Sequence, residues 1–218
     1  VQIEIWSDVV CPWCYLGTRR LQTAVAELGI ADVDVVHRAF QLDPTADPNT
    51  TVETTAMLAA KYGLTRGRAE AMQREMEQRA AEAGLEYHLA GQHSGNTRKA
   101  HRLLRFALEQ GRQEPMVERL FQAYFTEGRS VFDDASLAAL AADVGLDAAE
   151  VAAVLASDRY AAEVDADIAQ ARTYGVTGVP FTVIDRRFGV PGAQPVDTYR
   201  QVLERALRGA GEDTPDAG

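Results

Sequence analysis

Apolar and polar residues alternate at the start of the chain, with Ile3 and Ile5 set against Gln2 and Glu4. Period-two alternation in β-branched residues predicts a β-strand over Val1 to Ser7. From Leu16 the apolar positions move to helical spacing through Leu21, Val25 and Leu28, and Gly29 follows as a natural C-terminal stop. Pro12 falls near the first turn of this helix, where a missing N–H costs nothing. Val33, Val35 and Val36 up to Phe40 read as a second strand, and Asp43-Pro44 through Pro48-Asn49 as a loop. The opening is therefore β-α-β.

Between Val52 and Gly175 the pattern becomes helical, rich in Ala, Leu, Glu and Arg and broken by glycines such as Gly63, Gly111 and Gly145. Helices are predicted near Glu53 to Tyr62, Arg66 to Ala83, Thr97 to Gln110, Met116 to Thr126, Ala135 to Val144, Ala148 to Ala156 and Tyr160 to Tyr174. Strand character returns at Phe181 to Asp185 and resumes at Phe188 to Val190, which suits an antiparallel hairpin. Val196 to Leu207 makes a last amphipathic helix, and Gly209 to Gly218 reads as a mobile tail. No internal repeat is evident. The expected organisation is a first α/β part at residues 1–51, a helical insertion at 52–158, a second α/β part at 159–208 and the tail at 209–218.

With 218 residues, 46% of them apolar, the chain is long enough to build a core without cross-links. Its 32 acidic against 22 basic residues leave a formal charge of −10. That field repels phosphate backbones and anionic lipid, so nucleic acid and membrane are not expected as partners. No run of 18 apolar residues occurs, and the first residues lack the layout of a secretory signal. Two cysteines cannot make a disulfide framework. A globular protein of the cytoplasm is the expectation, with the removal of a leader before Val1 left open.

Both cysteines sit in one Cys-x-x-Cys, Cys11-Pro12-Trp13-Cys14, directly after a strand and at a helix start. That context gives the motif a thioredoxin-like meaning. At about 1.5 Å of rise per residue the two α-carbons lie on one helix face about 5 Å apart, within reach of a disulfide. Cys11, at the helix N-terminus, has its thiolate stabilised by unpaired N–H groups and by the macrodipole, and is the expected nucleophile. Cys14, one turn inward, is the expected resolving thiol. A zinc site would need two more ligands, and His37, His88, His93 and His101 do not form a paired motif; no metal is expected. Haem attachment would require a histidine where Tyr15 stands.

The second mark is Thr177-Gly178-Val179-Pro180-Phe181, just before the second strand run. In a thioredoxin-like sheet this is where a cis-proline faces the dithiol, so Val179 and Pro180 are expected to position a substrate chain; an ordinary trans proline opening an edge strand is the plainer alternative. Trp13, between the cysteines, is expected to be exposed and to touch substrate. Tyr15 and Leu16 are read as core residues of the first helix, and Phe40 and Phe181 as further candidates for an apolar rim. Asp133-Asp134 fits helix capping rather than metal binding. His101 is read as a satisfied or exposed helix histidine, with an approach to the dithiol across the domain boundary as the alternative.

Taken together, Ser7 to Gly17, Phe40-Gln41-Leu42-Asp43-Pro44, Asn96-Thr97 with Ala100 to Leu104, Leu120-Phe121 with Ala123-Tyr124-Phe125, and Gly175 to Phe181 resemble the FrnE-type branch of the DsbA oxidoreductases, over nearly the whole chain. The resemblance implies an α/β thioredoxin fold with a large all-helical insertion, a dithiol at Cys11 and Cys14, a cis peptide at Val179-Pro180, and thiol-disulfide exchange on a protein or small-thiol substrate, with a link in some members to polyketide biosynthesis. No resident cofactor is implied; a low-molecular-weight thiol such as glutathione is the expected co-substrate. Periplasmic DsbA proteins resemble Cys-Pro-His-Cys, and Trp13 replaces that histidine, which withdraws a cation from the thiolate and predicts a weaker oxidant. An acid often lies beneath the resolving cysteine in such folds; Glu4 and Asp8 are the candidates. The superfamily also holds kappa-class glutathione transferases and 2-hydroxychromene-2-carboxylate isomerases, which look like Asp-x-x-Ser-Pro where this chain has Asp8-Val9-Val10-Cys11-Pro12. A thiol-dependent isomerase or transferase is therefore the alternative activity, and a chaperone-like binding module the non-enzymatic one.

Overall fold

The computed structural model describes residues 1–212. In chain order the elements are β1 (Gln2–Ser7), α1 (Pro12–Glu27), β2 (Asp34–Ala39), β3 (Thr51–Glu53), α2 (Thr54–Tyr62), α3 (Arg66–Glu82), β4 (His93–Gly95), α4 (Arg98–Glu109) and α5 (Gln113–Phe125). There follow α6 (Asp134–Asp143), α7 (Ala148–Leu155), α8 (Ala161–Thr173), β5 (Phe181–Ile184), β6 (Phe188–Pro191) and α9 (Val196–Glu212). The β-α-β and β-β-α arms close into one sheet of order β2-β1-β5-β6, with β1 parallel to β2 and antiparallel to β5. This is the expected thioredoxin fold carrying a helical insertion.

The alternation of β1 sets the two layers. Ile3 and Ile5 point to one face, against Leu21 and Ala24 of α1 and Tyr199 and Leu203 of α9. Trp6 points to the other, against Ala171 of α8, Val176 and Val183, and its indole N–H donates to the Asp167 carbonyl at 2.8 Å. On the same face Arg38 pairs with the buried Glu4 at 2.6 Å and with Asp167 at 3.3 Å, tying α8 to the sheet. The third core belongs to the insertion, with Leu103, Phe106, Leu120 and Phe121 at its centre, and Cys11, Cys14, Tyr15 and Leu16 of α1 join it. The start of α1 therefore belongs to the seam between sheet and insertion.

Two features depart from the pattern reading. The insertion carries a short antiparallel ribbon, Thr51–Glu53 against His93–Gly95, which three-residue strands far apart in sequence do not announce. The last helix passes Leu207 and reaches Glu212, taking the first residues of the expected tail; Gly209 and Gly211 carry no apolar signal there, so the periodicity stops before the helix does. The rest of that tail, 213–218, lies outside the described residues. Asp133 caps α6 as expected, accepting the Ser136 N–H at 2.8 Å. Among the described residues no helix is long and apolar enough to cross a membrane, and no three His, Cys, Asp or Glu side chains gather as metal ligands.

Candidate active site

Cys11 is the N-cap of α1 in an extended conformation (φ −90°, ψ 110°), and Pro12 opens the helix. The Cys11 N–H donates to the Asp8 carbonyl at 3.0 Å, and the Cys11 carbonyl accepts from Cys14 N–H at 3.0 Å, which starts the helical ladder. Both thiols are free. Cys11 is 4% exposed and Cys14 0%, so both are buried, Cys14 completely. Burial pushes the Cys14 thiol well above its ordinary range; the hydrogen bond from Cys11 and the charges of Cys11 and Asp8 act in the same direction, while a backbone hydrogen bond at Asp8 opposes them.

The loop before β5 reaches this end of α1. The Val179-Pro180 peptide is cis, and the Cys11 thiol donates to the Val179 carbonyl at 3.6 Å. Gly17, on α1, makes the approach possible: a Cβ there would stand 3.0 Å from Pro180 Cγ and 3.3 Å from the Ala193 Cβ.

Trp13 is 41% exposed, and the Arg79 guanidinium of α3 sits 5.8 Å from its ring centre. Tyr15 and Leu16 face the core, as the helical spacing implied. Tyr15 stacks between Tyr87 and Phe121, at 5.8 and 4.8 Å between ring centres, and donates to Glu118 at 2.6 Å. Phe40 and Phe181 are half-buried and pack with Trp6 and Val179 on the far face of the sheet, rather than forming a rim with Trp13.

The two candidate acids separate. Glu4 is engaged by Arg38 on the α8 side of the sheet, whereas Asp8 lies at the start of the dithiol turn, one oxygen accepting the Leu42 N–H at 2.8 Å and the other 3.1 Å from His101 Nε2. His101 is a buried, satisfied histidine that does cross from the insertion to the site. Residues that the sequence reading passed over also meet here. The Tyr87 hydroxyl donates to the Pro12 carbonyl at 2.8 Å, and Arg79 covers Trp13; both come from parts of the insertion with no linear mark of their purpose. The only signal that could have found Tyr87 is its place among apolar neighbours at Leu85 and Leu89, which reads equally well as core.

The chain is similar to several solved structures. A probable DsbA oxidoreductase from Streptomyces coelicolor is 44% identical, with a TM-score of 0.92 over 100% of this chain and 93% of that one. A 2-hydroxychromene-2-carboxylate isomerase shares the fold at 15% identity, TM-score 0.73, over 99% and 100% of the two chains. The cytosolic disulfide reductase DsbM from Pseudomonas aeruginosa, solved with GSH, does so at 19% identity, TM-score 0.67, over 95% and 100%. The model of the DSBA-like thioredoxin domain matches residues 2–204, nearly the whole chain from β1 into α9, and the protein therefore belongs to the DSBA-like thioredoxin domain family.

Proposed function

We propose that the protein is a thiol-disulfide oxidoreductase of the FrnE-type branch, with Cys11 as nucleophile and Cys14 as resolving thiol. The Cys11 thiolate forms a bond to one sulfur of a substrate disulfide, and the other sulfur leaves as a thiolate. The Cys14 thiolate then attacks the Cys11 sulfur, closing the intramolecular disulfide and releasing the second substrate thiol. The substrate has gained two electrons and the dithiol has lost them; run in reverse, the same steps oxidise a substrate dithiol.

The observation that carries this reading is the contrast between the two sulfurs. Cys11 caps a helix, beside a carbonyl at 3.6 Å that a substrate strand would meet, while Cys14 is fully buried one turn in. Trp13 and the Val179-Pro180 edge are the surfaces on which substrate would rest. Glutathione as the small thiol, and a working place in the cytoplasm, are supported by the likeness to a cytosolic reductase solved with GSH. The FrnE-type resemblance supports, as in some members of that branch, a link to polyketide biosynthesis.

The test is insulin reduction with dithiothreitol, followed by turbidity. Wild-type protein should accelerate precipitation and Cys11→Ser should abolish the effect, while Cys14→Ser should accumulate a mixed disulfide visible by mass spectrometry. Absence of acceleration together with absence of that adduct would defeat the reading. Full turnover of a glutathione-dependent isomerisation by Cys14→Ser would move the assignment to a thiol-dependent isomerase.

A further inference from the structure

At the end of the sheet away from the dithiol, three arginines converge on one ring. β5 leaves the cis peptide at Phe181, ends at Ile184 and turns back into β6 through Asp185 and Arg186, both in the left-handed region at φ 49° and 53°. Arg187 and Arg205 place their guanidinium carbons 5.5 and 5.3 Å from the centre of the half-buried Phe188 ring. With Arg208, further along α9, they line a cleft of about 510 Å³ together with Phe188, Gly189 and Val202. That volume falls within the range of about 300–1,000 Å³ in which small molecules are held.

The sheet edge adds a backbone donor. The Asp185 N–H donates to the Gln2 carbonyl on the β1 side at 2.8 Å, so the alternation of an antiparallel ladder turns the backbone of Val183 to β1 and that of Thr182 and Ile184 to β6. Their partners on β6 are Val190 and Phe188. Gly189, between these two, therefore directs its N–H outward at the edge where the cleft lies. The opposite edge is closed by side chains: Gln113 takes the His37 N–H at 2.9 Å and Asp167 the Ala39 N–H at 3.1 Å. Packing accounts for part of the cluster, since arginine stems cover the Phe188 ring and a guanidinium over an aromatic face is attracted to it. It does not account for charges that stand together without a counter-ion. Arg66, Arg98, Arg119 and Arg159 each hold a carboxylate within 3.0 Å, and with 32 acidic residues against 22 basic ones the chain has carboxylates to spare. Among the described residues neither Arg187 nor Arg205 meets one, and Arg208 reaches Glu204 only at 3.9 Å.

We propose that the cleft between the β5–β6 hairpin and α9 binds the diphosphate group of a small molecule through Arg187, Arg205 and Arg208. Three cations around one cleft call for a compact, multiply charged anion. A diphosphate carries its charge on two adjacent centres, whereas carboxylates spread theirs over separate carbons. Guanidinium forks match phosphate oxygens two at a time, and an outward backbone N–H is a common further donor at phosphate sites. The net charge of −10 still repels an extended phosphate backbone, while the local field of the arginines draws a small anion. The site is separate from the dithiol, and the inference stands apart from the oxidoreductase reading.

Equilibrium dialysis of the full chain against radiolabelled pyrophosphate, at physiological salt and without divalent cations, measures the site. One molecule should bind per chain with a Kd below about 100 µM, and citrate should compete at least about tenfold less well. Arg187→Gln combined with Arg205→Gln should weaken binding by about tenfold or more, while insulin reduction stays within about twofold of wild type. Arg74→Gln, at an exposed arginine of α3, should leave binding unchanged. ADP competing at least as well as unlabelled pyrophosphate would identify a nucleoside diphosphate as the ligand; ADP failing to compete would identify free pyrophosphate. Removal of residues 213–218, which include Asp213 and Asp216, should change the Kd by less than about twofold. No binding at about 1 mM, citrate matching pyrophosphate, or equal weakening by Arg74→Gln overturns the proposal. So does binding about tenfold tighter after the removal, which would make the acidic end of the chain the occupant of the cleft.

Discussion

Replacing Gly17 by alanine puts a number on how tightly the Val179-Pro180 loop is held against α1. The added methyl would stand 3.0 Å from Pro180 Cγ and 3.3 Å from the Ala193 Cβ, closer than the roughly 3.5–4.0 Å at which carbon pairs attract. Proline is rigid and Ala193 sits on backbone, so the relief must come from moving the loop by several tenths of an ångström away from the helix. Overpacking of this kind costs about 1–3 kcal/mol, and alanine regains about 1 kcal/mol of helix propensity over glycine. The net loss is about 0–2 kcal/mol, a drop in Tm of at most about 8 °C at this chain length. Activity should suffer more than stability, because the displaced Val179 carbonyl lies 3.6 Å from the Cys11 sulfur and misplacement by an ångström costs up to about a hundredfold in a positioned reaction. We expect kcat/KM for insulin reduction to fall by about tenfold or more, while alkylation of Cys11 by iodoacetamide changes little. Gly67, in the first turn of α3 with open space around its Cβ position, is the control: Gly67→Ala should leave activity unchanged and stabilise by up to about 1 kcal/mol. Wild-type kcat/KM in Gly17→Ala would refute the argument that this contact sets the site.

Two further outcomes follow from burial and charge. Burial lowers the His37 imidazole to about 4, while the unfolded value is about 6.5. The unfolded chain therefore binds the extra proton between these values; stability is full above about pH 6.5 and declines as pH falls toward 4, by about 2 kcal/mol at pH 5. Urea midpoints measured from pH 7.5 to 5 should show this decline and His37→Leu should flatten it; an equally steep decline in the variant would assign the effect elsewhere. Trp13→His restores a cation beside the Cys11 thiolate, and a histidinium contributing about 1.4 kcal/mol would raise the reduction potential by about 30 mV. Equilibration against glutathione at pH 6 measures it, and a shift to more negative potential would contradict the view that Trp13 makes the dithiol less oxidising.

The parts legible in the sequence share a physical basis. The strand of Ile3 and Ile5, the helix from Pro12 and the run at Phe181 announce themselves because one face of each is buried, and burial writes a period into the residues. Cys-x-x-Cys is legible because disulfide geometry fixes its spacing. The β3–β4 ribbon carries no such period: its strands are three residues long and expose much of their surface. Contacts across the seam are silent for a different reason. Tyr87 to Pro12, Arg79 to Trp13 and His101 to Asp8 join residues 66 or more positions apart, and no local pattern encodes which of several polar side chains on a helix meets a partner on another element. His101 is a satisfied histidine, and its partner Asp8 stands at the dithiol turn, the approach that the sequence offers only as the alternative.

Those seam contacts explain why the dithiol sits where it does. β1 with the turn at Asp8 suffices to build the helix N-terminus that Cys11 caps. What the sheet does not supply is a surrounding that distinguishes the second sulfur. Cys14 is buried among the side chains of the insertion, and the same insertion brings His101 to Asp8, Tyr87 to the Pro12 carbonyl and Arg79 over the exposed indole. The helix-cap place of one thiol and the full enclosure of the other meet at a single packing interface. Loosening that interface should therefore bring the two sulfurs closer in reactivity before it unfolds the sheet, since Ile3, Ile5, Tyr199 and Leu203 form a separate core. Differential alkylation of the two sites at low urea, read by mass spectrometry, should show Cys14 gaining reactivity ahead of the loss of β-sheet signal. Simultaneous change would mean that insertion and sheet melt as one unit and that the contrast between the sulfurs is a property of the whole fold.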